Sequence, residues 1–370
     1  MAQPTKRLMS LDVLRGLTIV LMIIVNNPGS WSDVYAPLRH SAWNGCTPTD
    51  LVFPFFMFIV GTAMWYSFKK FGHRLNRALT IKIIRRTVLI FVLGLFLNAF
   101  PFVDFQLSSL RIMGVLQRIA LGYGLASFIV LLTNIRWNYL IAALLLLGYW
   151  GILLVFGNAD PLTLEGNAVK SLDLFLLGES HLYGGYGIPF DPEGLLSTLP
   201  AIVNVLFGFF AGRLIDREYD HRKAVYKLIG FGAVGIVLAL LWNPFFPINK
   251  PIWSSSYVLY TCGLASIFLA ALIWLIDLKG WKKWAHPLLV YGMNPLFIYV
   301  LAGVWANLLS IIQVSNGEGG RISLKGFIYH DLLAPWAGEL NGSLFFALHL
   351  AVIFWIIGLI LYRKKIFIKI

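Results

Sequence analysis

Stretches of about 20 mostly apolar residues recur along the whole of this chain, and nothing else in it constrains the fold as strongly. A helix of that length crosses roughly 30 Å of hydrocarbon and satisfies its own backbone polar groups, which lipid cannot do for it. Runs bounded by charged, Pro-rich or Gly-rich breaks predict ten spans, at about 11–29, 50–68, 84–100, 110–132, 138–156, 195–214, 228–243, 255–276, 286–310 and 343–362. The expected fold is therefore an all-α polytopic membrane protein, with residues 1–370 forming a single transmembrane domain. Composition agrees, because 58% of residues are hydrophobic and only 13% are charged, which leaves no room for a soluble domain of ordinary size.

The formal net charge of +13 would suit a nucleic-acid partner, but a basic excess is also what the positive-inside rule places on cytoplasmic loops. Ten spans put both termini on one side. On that side lie 22 of the 30 Lys and Arg, from Lys6 and Arg7 through the clusters at 69–86, 213–227 and 279–283 to Lys369. The opposite side holds 6, namely Arg39, Arg111, Lys170, Lys250, Arg321 and Lys325. Both termini are thus expected in the cytoplasm, the chain in an inner membrane, with the lipid bilayer and no nucleic acid as partner.

Lys6 and Arg7 precede an apolar stretch as in a signal peptide, yet Asp12 and Arg15 interrupt it and no small-residue cleavage site follows, so a retained first helix is expected. Cys46 and Cys262 offer neither a disulfide framework nor metal spacing, and no metal is expected. The outward loops are 30–49, 101–109, 157–194, 244–254 and 311–342, several of them long and rich in Gly, Pro, Trp and Tyr. Trp31, Trp43, Trp242, Trp253 and Trp336 lie near that interface, where indole rings either anchor a protein or stack on a sugar face.

Ionisable groups inside a membrane are expensive and are the first candidates for function. Asp12 and Arg15 share a helix face and can pair, a packing role that competes with a ligand role. Arg118, beside Gln117 and about two turns into the fourth span, needs a partner, which a ligand phosphate or carboxylate would supply as well as a protein acid.

The richest constellation is the first outward loop, which ends in a helix start: Thr47 or Thr49 can cap, Pro48 suits the first turn, and Asp50 complements the dipole. His40, Trp43 and Asn44 stand just before it, and the first helix ends in Asn26 and Asn27 on the same side. Histidine takes a proton near neutral pH and amides can donate to a developing oxyanion. A lone loop histidine is more often solvated or structural, and His73, His181, His221, His286, His330 and His349 are read that way. The chain has no G-x-S-x-G or Walker A motif to support serine hydrolysis or nucleotide-driven pumping.

On these residues the chain resembles heparan-alpha-glucosaminide N-acetyltransferase and its bacterial relatives among transmembrane acyltransferases. The resemblance is carried by SLDVLRG at 10–16, HSAWNG at 40–45 followed by DLVFPFFMFIVG, GVLQRIALGY at 114–123, DPEGLLSTLPAIVNVLFGFFAGRL at 191–214, FPINKPIWSSSY at 246–257 and GMNPLFIYV at 292–300. It implies transfer of acetyl from cytosolic acetyl-CoA, a co-substrate, to the amine of a terminal glucosamine or related sugar or glycan end across the membrane, by a homodimer. The family's active histidine falls on His40 and its nearby asparagine on Asn26. The animal enzyme has an additional N-terminal helix and a luminal domain, and its glycine-rich end of the first helix reads NNPGS here, which bears on the acceptor more than on the chemistry.

In the mechanism expected from both lines, His40 is base or acyl carrier with Asn26 and Asn44 at the oxyanion. Arg118, Gln117, Arg15 and Arg213 hold acetyl-CoA, and Trp43, Asp50 and Asn27 contact the acceptor. The competing reading is an amino-sugar transporter, for which Asn204 and Asn294 would be intramembrane polar groups, although the two halves share no visible repeat. A scaffold without a donor pocket is the third. No single G-x-x-x-G face marks an interface.

Overall fold

The structure is a computed structural model that describes residues 8–103, 105–218, 220–315 and 320–368. Lys6, Arg7 and Lys369 of the charge pattern lie outside the described residues. The long elements are helices: α1 (Met9–Asn26), α2 (Pro48–Lys69), α3 (Arg77–Ala99), α4 (Val115–Leu132), α5 (Ile135–Phe156), the shorter α6 (Ala168–Leu177), α7 (Thr198–Arg217), α8 (His221–Trp242), α9 (Ser255–Leu272), α10 (His286–Met293) and α11 (Pro295–Ile311). A small antiparallel ribbon comes after them, β1 (Gln313–Ser315) with β2 (Arg321–Ser323), pairing Val314 with Ile322. Two short helical turns, α12 (Leu324–Gly326) and α13 (Ala334–Ala337), lead into α14 (Glu339–Arg363).

Each expected span is occupied by helix, and among the described residues eight helices are long and apolar enough to cross a membrane. The stretch expected as one span at 286–310 is instead two helices bent by 74°. The break falls at Asn294–Pro295, where proline removes a backbone donor and disfavours helix in the residue before it. The other exception is α3, which begins at Arg77 and carries Lys82, Arg85 and Arg86 in its first half, too basic to rank with the eight. Arg86 lies over the Tyr123 ring at 4.8 Å, so part of that charge is held against an aromatic face.

The chain forms two compact units. The first comprises residues 1–39, 218–229 and 267–369, and the second 40–217 and 230–266. In the first unit α1 packs on α10 through small residues. A Cβ on Gly16 would lie 1.7 Å from the Leu288 carbonyl oxygen, and one on Gly292 would lie 1.9 Å from that of Asp12. In the second unit α2 packs on α7, where Gly208 and Gly212 face the α2 backbone and Gly61 faces that of α7. The G-x-x-x-G spacing of Gly208 and Gly212 therefore serves an intramolecular contact. The starts of α2, α4, α7 and α9 gather at one end of this unit, tied together by side-chain hydrogen bonds such as those from Arg118 to Ser197 and from Tyr257 to the Asp50 carbonyl.

Candidate active site

The local sequence dictates the start of α2. Thr47 is extended, Pro48 occupies the first helical position and Asp50 sits at the third, so the Asp50 carboxylate turns back to accept the Thr47 N–H at 3.0 Å, a capping box. The same oxygen, Oδ2, accepts from the Thr47 hydroxyl at 3.0 Å and from the Ser41 N–H at 3.1 Å. Oδ1 is left facing the preceding loop, and there it meets His40 Nδ1 at 2.6 Å. The helix cap thus doubles as the anchor of the histidine. The Asp50 side chain is fully buried whereas that of His40 is 44% exposed, so a fixed carboxylate holds a reachable imidazole. With Nδ1–H donated to Asp50, the lone pair of Nε2 points away from it.

A second loop closes on this one from far along the chain. Gly45 donates its N–H to the Ile248 carbonyl at 2.7 Å, and Asn249 Nδ2 donates to Asn44 Oδ1 at 3.1 Å. The side-chain carbonyl oxygen of Asn249 accepts the Ile252 N–H at 2.9 Å and shapes the turn that presents Lys250. Lys250 Nζ stands 3.0 Å from His40 Nδ1, 3.3 Å from Nε2 and 3.6 Å from Asp50 Oδ1. Burial pulls the Lys250 ammonium below the ordinary lysine range, while Asp50 and, at longer range, Glu193 favour its charge. From α9, the Tyr257 hydroxyl donates to the backbone carbonyl of Asp50 and locks the cap from beneath.

Beside this cluster Arg111 donates from Nε and Nη2 to both oxygens of Asp191 at 2.8 Å, and from Nη2 to Glu193 at 2.7 Å. These carboxylates hold the guanidinium firmly protonated. Arg118 is buried with Nη2 donating to Gly194 O at 3.0 Å and to Ser197 Oγ, and its guanidinium lies 4.8 Å from the Trp253 ring centre. Its Nε and Nη1, with Gln117 Nε2 and Asp173 Oδ2, have no partner among the described residues. Three open donors beside an aromatic face suit an anionic or carbonyl-bearing group. Asp173, on α6, is pushed up to about 7 by burial.

Of the expected site residues, then, the second unit brings His40, Asn44 and Asp50 together and adds Lys250 and Asn249. Asp50, expected to touch the acceptor, is instead fully taken up by protein donors. Trp43 donates its indole N–H to Leu162 O at 2.9 Å and packs at 5.8 Å on Phe190, a wedge between loops rather than a free sugar platform. Trp253, expected at the membrane interface, is fully buried because its N–H serves Asn204 Oδ1 at 2.9 Å and its ring serves Arg118. Trp31 and Trp336 are well exposed. Arg118 binds at the start of α7 and Arg213 lies 15 residues further along it, about 22 Å by helical rise, so the two cannot grip one phosphate.

In the first unit Arg15 pairs with Asp12 at 3.1 Å, as the spacing predicts, and donates to Gly292 O at 3.2 Å. Asn27 donates to Ile23 O at 2.8 Å, and Asn26 closes α1 with its side chain exposed. The amides suggested for a permeation path are structural. Asn204 Nδ2 approaches Cys262 Sγ at 3.2 Å while its carbonyl takes Trp253, and Asn294 clasps the C-terminal segment through Ile366 O and the Ile368 N–H. Lys250 was legible only as one of few basic residues on the charge-poor face, with nothing local to link it to His40.

Fold and site together define a polytopic helical membrane protein with a histidine–carboxylate pair built onto a helix start. Residues 7–242 match the family described as heparan-alpha-glucosaminide N-acetyltransferase, catalytic, and the chain belongs to that family. It is 31% identical to the heparan-alpha-glucosaminide N-acetyltransferase of Mus musculus over 80% of this chain and 53% of the relative. To the Homo sapiens protein of the same name it is 29% identical over 98% of this chain and 60% of the relative. The chain thus spans less than two thirds of the length of either.

Proposed function

We propose that this chain is a transmembrane acyltransferase that moves acetyl from acetyl-CoA on the cytoplasmic side to the amine of a terminal glucosamine or related amino sugar on the periplasmic side. The observation that carries this reading is the His40–Asp50 pair at 2.6 Å, which presents a reachable imidazole nitrogen, set in a chain of the N-acetyltransferase family. The 22-to-6 asymmetry of basic residues supports cytoplasmic termini, ten crossings including α3 and the bent α10–α11 pair, and His40 on the outer side of a bacterial inner membrane. The satisfied amides of Asn204 and Asn294 and the family membership leave the transporter reading without support.

In the reaction the acceptor amine attacks the thioester carbonyl carbon while His40 Nε2 accepts a proton from the amine. Asp50 keeps the ring in the tautomer with hydrogen on Nδ1 and steadies the imidazolium that forms. Asn44 gives its carbonyl to Asn249 and keeps its NH2 for the developing oxyanion. Collapse of the tetrahedral intermediate breaks the C–S bond, and the departing CoA thiolate takes the proton from Nε2. Gln117 and Arg118, with their open donors, serve the acyl end of the donor, and Arg213 serves its nucleotide end.

His40→Ala tests the proposal in purified protein given labelled acetyl-CoA and a panel of amino sugars. The variant is expected to lose transfer while acetyl-CoA still raises its unfolding temperature. Near-normal transfer by that variant removes His40 from the chemistry. Labelled acetyl retained on the protein when acceptor is withheld assigns His40 the acyl-carrier form of the same step.

A further inference from the structure

A carboxylate 2.6 Å from an imidazole favours the charged ring, and a ring that already carries its second proton cannot accept one from an amine. Lys250 supplies the opposing charge. Its Nζ is nearly equidistant from Nδ1 and Nε2, 3.0 and 3.3 Å, which sets it against the ring between the two nitrogens. From there its charge repels the imidazolium.

We propose that Lys250 is a positioning residue for His40, whose ammonium disfavours the doubly protonated ring and so sets how far toward acidic pH Nε2 remains able to accept a proton. This inference rests on the acyl-transfer reading of the site. Among the described residues, the other titratable groups acting on Asp50 and Lys250 or packed beside them are acids, a thiol and phenols. Asp50 from α2 and Glu193 from the loop before α7 favour the charged form of Lys250, and burial opposes it. The Cys46 thiol is pushed up to about 12 by burial and the Tyr186 phenol is raised by the same cause, so both are neutral near pH 7. Tyr257 gives its hydroxyl proton to the Asp50 carbonyl. Lys250 lies 210 residues from His40 in the chain, and the Asn44–Asn249 and Gly45–Ile248 bonds help seat one loop on the other.

The test is the pH profile of kcat/KM for acetyl transfer in Lys250→Met, with Lys250→Gln as the variant that keeps a hydrogen-bond donor for Asp50 should the methionine not fold. Removing a like charge at this range is expected to move the acidic limb of the profile to higher pH by about one to three units. Activity on the alkaline plateau is retained in larger part, and stabilisation by acetyl-CoA is unchanged. Lys250→Arg, which keeps the charge, is expected to return the limb toward its wild-type position. A uniform loss of rate at every pH, with the acidic limb unmoved, would show that Lys250 only braces the loop and overturns the inference. The acyl-transfer reading fails separately, if wild-type protein acetylates no amino sugar or if His40→Ala does so normally.

Discussion

Replacing Asp50 by asparagine exchanges one oxygen for an NH2 group, and the surrounding donors decide which way that amide must turn. Oδ2 accepts from the Thr47 N–H, the Thr47 hydroxyl and the Ser41 N–H, so an amide NH2 at that position would face three donors. The D50N side chain must instead keep its oxygen there and point its NH2 at His40. Nδ1 then has to accept rather than donate, which moves the ring hydrogen to Nε2, the atom that must take the proton from the amine. A carboxylate-to-amide change in a comparable histidine–carboxylate pair costs about 10⁴-fold in kcat through the same tautomer error. Because the Asn44 amide is untouched by the change, a loss of roughly 10² to 10⁴-fold is expected, about 3 to 5 kcal/mol of barrier. The cap survives in neutral form, so stability falls by only about 1 to 2 kcal/mol. Single-turnover acetyl transfer and thermal unfolding with and without acetyl-CoA measure both effects in one preparation. A variant with kcat within about threefold of wild type, less than about 1 kcal/mol of barrier, refutes the tautomer argument.

Two further outcomes rest on packing and burial. Gly208→Ala places a Cβ 1.8 Å from the Phe58 carbonyl oxygen, so α2 and α7 must separate, at a cost of about 1 to 3 kcal/mol, whereas Gly230→Ala meets nothing within 4 Å and should be neutral or slightly stabilising; unfolding temperatures in one detergent compare them, and equal values contradict the packing. Asp173, pushed up to about 7 by burial, holds its proton in the folded state where the unfolded chain has lost it, so its contribution to stability declines as pH rises from about 4 to about 7. Asp173→Asn should therefore gain stability relative to wild type as pH rises through that window, and parallel pH dependences for the two proteins would contradict the shift.

How much of the fold and site is legible in the sequence depends on the range of the interaction. Helices are written locally, as apolar runs, and so is the Thr47–Pro48–Asp50 start of α2. Hydropathy nevertheless misses the first turns of α8, at His221, Arg222 and Lys223, because a helix continues past the hydrocarbon into charged sequence. It also joins α10 to α11 across Asn294–Pro295, where only backbone geometry marks the bend. Asp12 with Arg15 is readable from a spacing of three. His40 stands out through its neighbours and the family resemblance, but Asp50 reads as a dipole residue, because a cap needs one carboxylate oxygen and sequence does not say where the other points. Lys250, Asn249 and Glu193 are out of reach, since loop pairing over such separations is a property of the assembled helices.

Sealed vesicles containing the purified chain put the whole account to one measurement. Labelled acetyl-CoA is enclosed with the chain's basic face, glucosamine is supplied only to the opposite compartment, and N-acetylglucosamine is sought there. The account predicts labelled product in the acceptor compartment, dependent on His40 and absent without donor. Product formed only when donor and acceptor share a compartment would contradict it.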